Sequence, residues 1–299
     1  MPQGTSPKRS LTDDSTAPDV KKKAIQMSPL EASPLGKPTA YPDRYDAKLL
    51  HAIPRASQRG AIGIHGKLPF AGADLWTAYE VSWLDMQGKP QIAAAAIRVP
   101  AESTAMVESK SLKLYLGSFA QEAFSSIENV AQRIGSDLAA TCGTDVGVEF
   151  TVASNLDTLR CAELPGESID SYAVAPDVYQ PRAELLQSGG AIVEETLRSA
   201  LFKSNCPVTG QPDYADVLVR YRGPRIDRES LLRYLVSYRR HAAFHEACVE
   251  RIFTDISTHC RSDRLSVYAR FLRRGGIDIN PFRSNFERPP VHAPRTPRQ

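Results

Sequence analysis

The sequence predicts an α+β chain built from antiparallel sheets, each covered on one face by a pair of helices. Two observations carry that expectation. A strand–strand–helix–helix–strand order runs twice along the 299 residues, and no parallel βαβ unit with a GxGxxG turn interrupts it. The length agrees, because a domain of roughly 150 residues is ordinary. The repeat divides the chain into a leading segment (1–45), a first module (46–165) and a second module (166–299). Sequence identity between the halves is not evident, so the repeat is one of architecture.

The leading segment is rich in Pro, Ser, Thr and Lys, and aromatic residues are missing before Tyr41. Such a composition cannot bury enough apolar surface to offset its ordering entropy, which predicts a disordered tail that is removable with little loss of function. LWTAYEVSWLD (75–85) then alternates as a strand does, with Leu75, Thr77, Tyr79, Val81 and Trp83 expected on one face. The turn QGKP leads to a second strand, QIAAAAIRVP (91–100). A first helix is expected near 108–119. A second spans 126–142, with Ser126 as N-cap and Ile127, Val130, Ile134 and Leu138 on one face. Gly143 ends it, and VGVEFTVAS (146–154) returns to strand.

The second half reads likewise. Residues 190–205 and 214–223 are extended, helices are expected at about 227–240 and 243–259, and RLSVYARFLRR (264–274) closes the unit as a strand. Between the first two strands lies SNCPVTGQPD (204–213). Pro207 and Pro212 each remove a backbone donor and Gly210 relaxes the chain between them, so this stretch cannot be helical.

Composition excludes several function classes. A net charge of +3, without a dense basic stripe, argues against a nucleic-acid-binding protein. No apolar run approaches the ~18–20 residues of a membrane helix, and MPQGTSPKRSLTDDST lacks the apolar core of a signal peptide, so a cytoplasmic location is expected. Five scattered cysteines without a CxxC pair argue against a disulfide framework or a structural zinc site. His65 and His259 have no ligand spacing, and no metal is expected. GAIGIHG (60–66) has glycines in the wrong spacing and context for a dinucleotide fingerprint.

Three stretches lie at junctions between elements: Glu108-Ser109-Lys110-Ser111, Cys206 to Asp213, and Phe244-His245-Glu246. Helix starts offer unpaired N–H groups that favour bound anions; helix capping and solvated charge are the bland reading of Glu108 or Glu246 taken alone. Cys206 is either a small buried hydrophobe or a nucleophile with Asp213 as proton partner. Cys248 sits on the apolar face of its helix beside Ala247 and Ile252, as core, and Cys142 and Cys161 flank loops without a visible acid–base partner.

Taken together, VESKSLKLYLGSF (107–119), CPVTGQPDYADV (206–217), SYRRHAAFHEACVERI (237–252) and RRGGIDINPFRS (273–284) resemble the signatures of the NADPH-dependent 7-cyano-7-deazaguanine reductases of queuosine biosynthesis. The resemblance is to their longer form, with two tandem tunnelling-fold modules, and covers roughly residues 45–288. It implies Cys206 as the nucleophile that adds to the nitrile as a thioimide, and Asp213 as the general acid. It further implies substrate binding by Val107, Glu108, Ser109, His245 and Glu246, and NADPH binding by Ser109, Lys110, Arg274 and Gly275. The activity implied is four-electron reduction of the nitrile to an aminomethyl group, with two NADPH per turnover and no metal. A homodimer is expected, because modules of this fold join sheets edge to edge.

The chemistry of the residues fits these roles. A nitrile is a poor hydride acceptor, and thiolate addition converts it to a C=N that can be protonated and reduced. A carboxylate such as Glu246 accepts two parallel donors, as a ring N–H beside an exocyclic amine presents. Lys110, Arg273 and Arg274 can counter phosphate charge. Two other readings stay open: a pterin cyclohydrolase-like enzyme of the same fold, and a catalytically silent module that binds tRNA or a nucleobase.

Overall fold

The computed structural model describes residues 33–34, 36–37, 40–152, 160–291 and 294–299. In the first half, β1 (Ala52–Pro54) and α1 (Ala56–Gly60) precede a long hairpin of β2 (Ala71–Leu84) and β3 (Pro90–Pro100). A short β4 (Ala105–Val107) pairs with β1, then α2 (Ser109–Gly117) and α3 (Ile127–Cys142) lead to β5 (Gly147–Val152), which returns antiparallel to β3. The second half repeats the plan. After the short β6 (Glu167–Ser168) come β7 (Ser188–Asn205) and β8 (Pro212–Ile226), then α4 (Arg228–Ser237) and α5 (His245–His259), then β9 (Arg264–Phe271) and β10 (Ile277–Ser284).

The helices form where their caps and periodicity place them. Ser126 caps α3 by accepting from the Asn129 N–H at 3.3 Å, and Gly143 closes it at φ 71° in the left-handed region. Val130, Ile134, Leu138 and Cys142 recur at helical spacing and are fully buried against the sheet. Asp227 caps α4 through the Ser230 N–H at 2.8 Å. Leu231, Leu232 and Leu235 of α4 and Cys248, Ile252 and Ile256 of α5 fill the second core. Cys248 is core, as its helical position implies, and burial pushes its thiol up to about 12.

All strands except β1 and β4 belong to one eight-stranded sheet, in the order β5-β3-β2-β10-β9-β8-β7-β6. The halves join edge to edge through β2 and β10, antiparallel from Ala71↔Ser284 to Ala78↔Ile277. The helices cover one face over two large apolar cores, and the opposite face carries a small cluster of Leu164, Leu218, Tyr268 and Phe282.

Two local readings of the sequence are corrected. Simple alternation put Leu75, Thr77, Tyr79, Val81 and Trp83 on one face, but a bulge between Ala78 and Val81 shifts the register. Trp76, Ala78, Val81 and Trp83 therefore share the helix-covered core, while Leu75 packs with the opposite cluster. The seam strand β10 was also unexpected. Its sequence, IDINPFRS, breaks the apolar pattern, yet Asp278, Asn280, Arg283 and Ser284 are all buried. Their partners are internal: Asn280 Nδ2 donates to Asp278 Oδ1 at 2.6 Å, and Arg283 Nη2 donates to Glu250 Oε1 at 2.8 Å. Pro281 is tolerated inside the sheet because the ladder to β9 begins only at Phe282.

Arg283 belongs to a buried charge network that ties the halves together. It lies 2.8 Å from both Asp74 and Glu250; Arg55 pairs with Asp74 at 2.5 Å and Arg59 with Glu250 at 2.7 Å. Much of the leading segment 1–45, expected to be a tail, lies outside the described residues. Of its described part, Ser33 is buried, and Tyr45 packs edge-on against Phe119 and donates to Asp137 at 2.7 Å.

Candidate active site

One cavity of roughly 550 Å³ opens where the two halves meet. Four pieces of backbone wall it: the amino ends of α2 and α5, the β7–β8 loop, and the β9–β10 turn. Each offers polar groups for a reason read locally. Helix starts leave N–H groups without intrahelical partners, and the two connections are tight turns with exposed side chains.

Cys206 opens the β7–β8 loop. Its N–H donates to the Gln211 carbonyl at 2.9 Å and its carbonyl accepts from the Gly210 N–H at 3.1 Å, with Gly210 at φ 69°. Pro207 and that glycine hold the thiol at the cavity wall, half-buried. Asp213, at the start of β8, is buried and faces the same space. Its Oδ1 lies 2.7 Å from Arg274 Nη2 and 3.1 Å from His245 Nε2. Neither approach has the alignment of a good hydrogen bond. The His245 ring stacks on Phe271 with centroids 3.8 Å apart and planes 5° apart, which fixes Nε2 toward Asp213.

Glu246 follows on the first turn of α5, 4% exposed, at the cavity wall. Burial, reinforced by the nearby Asp74 carboxylate, pushes its carboxyl up to about 7. His245 Nδ1, Arg274 Nε and Trp76 Nε1 are also buried at this wall without a hydrogen-bond partner. Such groups cost free energy unless something completes them.

Ten residues were expected at the site. Cys206, Asp213, Val107, Ser109, Lys110, His245, Glu246, Arg274 and Gly275 all line this cavity. Glu108 is the exception. It is the N-cap of α2, and its carboxylate accepts from the Lys110 and Ser111 N–H groups at 2.7 and 2.8 Å. Its side chain orients the helix that carries Ser109 and Lys110, and does not line the cavity.

Other lining residues escaped the sequence reading. Lys113 lies one turn beyond Lys110, and that spacing in SKSLK was the available signal. Burial holds its ammonium below the usual lysine range, opposed by the Glu108 carboxylate. Gly36 touches the Cys206 loop: a Cβ there would stand 3.1 Å from Val208 Cγ1, and the neighbouring Lys37 carbonyl accepts from Lys110 Nζ. Trp76 was placed on the wrong face by the bulge. Among the described residues, no cluster of three His, Cys, Asp or Glu is arranged to hold a metal.

The two halves match separate family models. Residues 41–150 match one described as "Nitrile reductase, 7-cyano-7-deazaguanine-reductase N-term", and residues 212–290 match a "QueF-like protein" model. The chain is 54% identical over 275 residues to the NADPH-dependent 7-cyano-7-deazaguanine reductase of Paraburkholderia phytofirmans, covering 91% of this chain and 100% of that one. It is 53% identical to the enzyme of the same description from Burkholderia multivorans, with the same coverage. It belongs to the family of NADPH-dependent 7-cyano-7-deazaguanine reductases. The 275-residue match is longer than residues 46–299, so part of the leading segment is shared with these relatives.

Proposed function

We propose that this chain reduces the nitrile of 7-cyano-7-deazaguanine to the primary amine through a covalent adduct on Cys206. The observation that carries the reading is the convergence, on one cavity, of a half-buried thiol, a buried aspartate and a buried glutamate without a salt-bridge partner. Glu246 faces the base and, as a carboxylate, accepts its ring N–H and exocyclic amine side by side. A ligand with two such donors favours the ionised form, offsetting the cost of the buried charge. Val107, Ser109 and His245 complete the wall around the base.

Cys206 attacks the nitrile carbon. Its proton passes to the nitrogen through Asp213, leaving a neutral thioimide and Asp213 again a carboxylate. The arrangement fits a dinucleotide: Lys110, Lys113, Arg273 and Arg274 line the cavity, and the otherwise unpartnered Arg274 Nε suits a phosphate oxygen. NADPH, when bound, supplies one hydride in each of the two reductions. Asp213 and His245 supply protons to the nitrogen, and the cavity wall keeps water from the imine between the two steps.

The segment 46–165 acts as the first module and 166–299 as the second, with segment 1–45 extending beyond them. The edge strand β5 is open to pairing, which supports a homodimer. Among the described residues, no helix is long and apolar enough to cross a membrane, and we place the enzyme in the cytoplasm. Following nicotinamide absorbance with the nitrile present tests the activity: two NADPH consumed per amine formed is the expected result. Consumption without amine, or none at all, would refute it.

A further inference from the structure

The geometry points to a second role for Arg274: it governs the proton on Asp213, keeping the carboxylate ionised while Cys206 adds to the nitrile and releasing it to protonation when the guanidinium moves to a dinucleotide phosphate. The inference rests on the reading of Asp213 as the proton carrier.

Three observations support it. Arg274 Nη2 lies 2.7 Å from Asp213 Oδ1, and both side chains are largely withdrawn from solvent, where an ion pair is felt strongly. The pair is poorly aligned, and the same nitrogen donates to the Pro212 carbonyl, so the guanidinium is not locked onto the carboxylate. Arg274 also opens the β9–β10 turn, followed by Gly275 and Gly276 at φ 55° and 80°, with Nε aimed at no partner. Its backbone is pinned by bonds to Ile277 in both directions, leaving the side chain as the mobile part.

Proton accounting makes such control necessary. In adduct formation the Cys206 sulfur pair makes the C–S bond, one C≡N π pair moves to nitrogen, and the thiol proton reaches that nitrogen through Asp213. No net proton is taken up, and Asp213 ends as a carboxylate. Each reduction then adds one hydride to carbon and needs one further proton on nitrogen. A permanently paired Arg274 would oppose loading that proton; a guanidinium that leaves with the dinucleotide permits it.

Other groups face Asp213 from the elements packed around it: His245 and Cys248 on α5, Lys113 on α2, Lys203 on β7, and Cys206 in the loop. Arg274 is the closest cation among them whose charge does not depend on pH in the working range.

The test needs no cofactor in its first arm. The rate of thioimide formation is measured against pH for the wild type, Arg274→Gln, Arg274→Lys and Asp213→Asn. Losing the guanidinium should move the acid limb up by about one to two pH units, the usual effect of an adjacent arginine, while the plateau stays within a few-fold. Arg274→Lys should restore most of the shift. A uniform loss at every pH, with the limb in place, would make Arg274 merely structural and overturn the proposal. An acid limb unchanged in Asp213→Asn would instead refute the role of Asp213 on which it rests. In the second arm, NADP⁺ is mixed with enzyme in weak buffer containing an indicator dye. Proton uptake should exceed that of Asp213→Asn, and the excess should vanish when Arg274→Gln is introduced; equal uptake by wild type and Asp213→Asn would contradict the release step.

Discussion

Replacing Glu246 by glutamine should stabilise the protein while damaging its function. The native carboxyl titrates at about 7, whereas an unfolded glutamate titrates near 4.3. Below about pH 4 both states hold the proton and the residue contributes nothing. As pH rises toward 7, the unfolded chain ionises while the folded one stays protonated, so the wild type loses stability across that window. At ~1.4 kcal/mol per pKa unit the full penalty is about 3 kcal/mol, present above pH 7. Glu246→Gln removes it. Urea unfolding at pH 5 and pH 8 should show the variant more stable by about 2–3 kcal/mol at pH 8, with much of the gain gone at pH 5. The same variant should bind the nitrile base far more weakly than NADPH, since an amide meets one of the two donors with its own N–H. Wild-type affinity for the base should fall about tenfold per pH unit below 7, because only the ionised form accepts both donors. Equal stability of the two proteins at pH 8 would refute the buried, unpaired carboxylate; equal losses for both ligands would move Glu246 out of the base pocket.

Asp213→Asn should still bind the base yet reduce it at least a hundredfold more slowly, the range typical of a lost acid–base group, as single-turnover kinetics would show. Glu250→Ala should cost roughly 3–5 kcal/mol in denaturant unfolding, because Arg59 and Arg283 would be left buried without their shared carboxylate. Deleting residues 1–40 should raise the KM for NADPH several-fold, since Gly36 lines the cavity and the Lys37 carbonyl accepts from Lys110 Nζ; an unchanged KM would return this segment to the removable tail its composition implies.

Much of the fold was legible where local rules act alone. The period of Val130, Ile134 and Leu138, the Ser126 cap and the Gly143 stop define α3 without help from distant contacts. Alternation failed on β2 because a bulge is set by cross-strand pairing, which a linear pattern does not carry. The seam strand β10 was hidden because its buried residues are polar, and each is satisfied by a partner from elsewhere in the chain, such as Glu250 for Arg283. The site was legible mainly through its motifs, which placed Cys206, Asp213, His245 and Glu246. What no motif shows is pairing: that Arg274 leans on Asp213, or that Glu246 lacks a salt bridge, is fixed by packing between elements 28 to 61 residues apart. Gly36 was invisible for the opposite reason, since a composition poor in apolar residues says nothing about where a glycine comes to rest.

The central claim is that Cys206 carries the nitrile covalently. Intact-protein mass spectrometry, on enzyme mixed with 7-cyano-7-deazaguanine and no NADPH, tests it directly. The wild type should gain the mass of one nitrile, peptide mapping should place the adduct on Cys206, and Cys206→Ala should show neither added mass nor turnover while still binding the base. An adduct on Cys248, or reduction of the nitrile by Cys206→Ala, would contradict it.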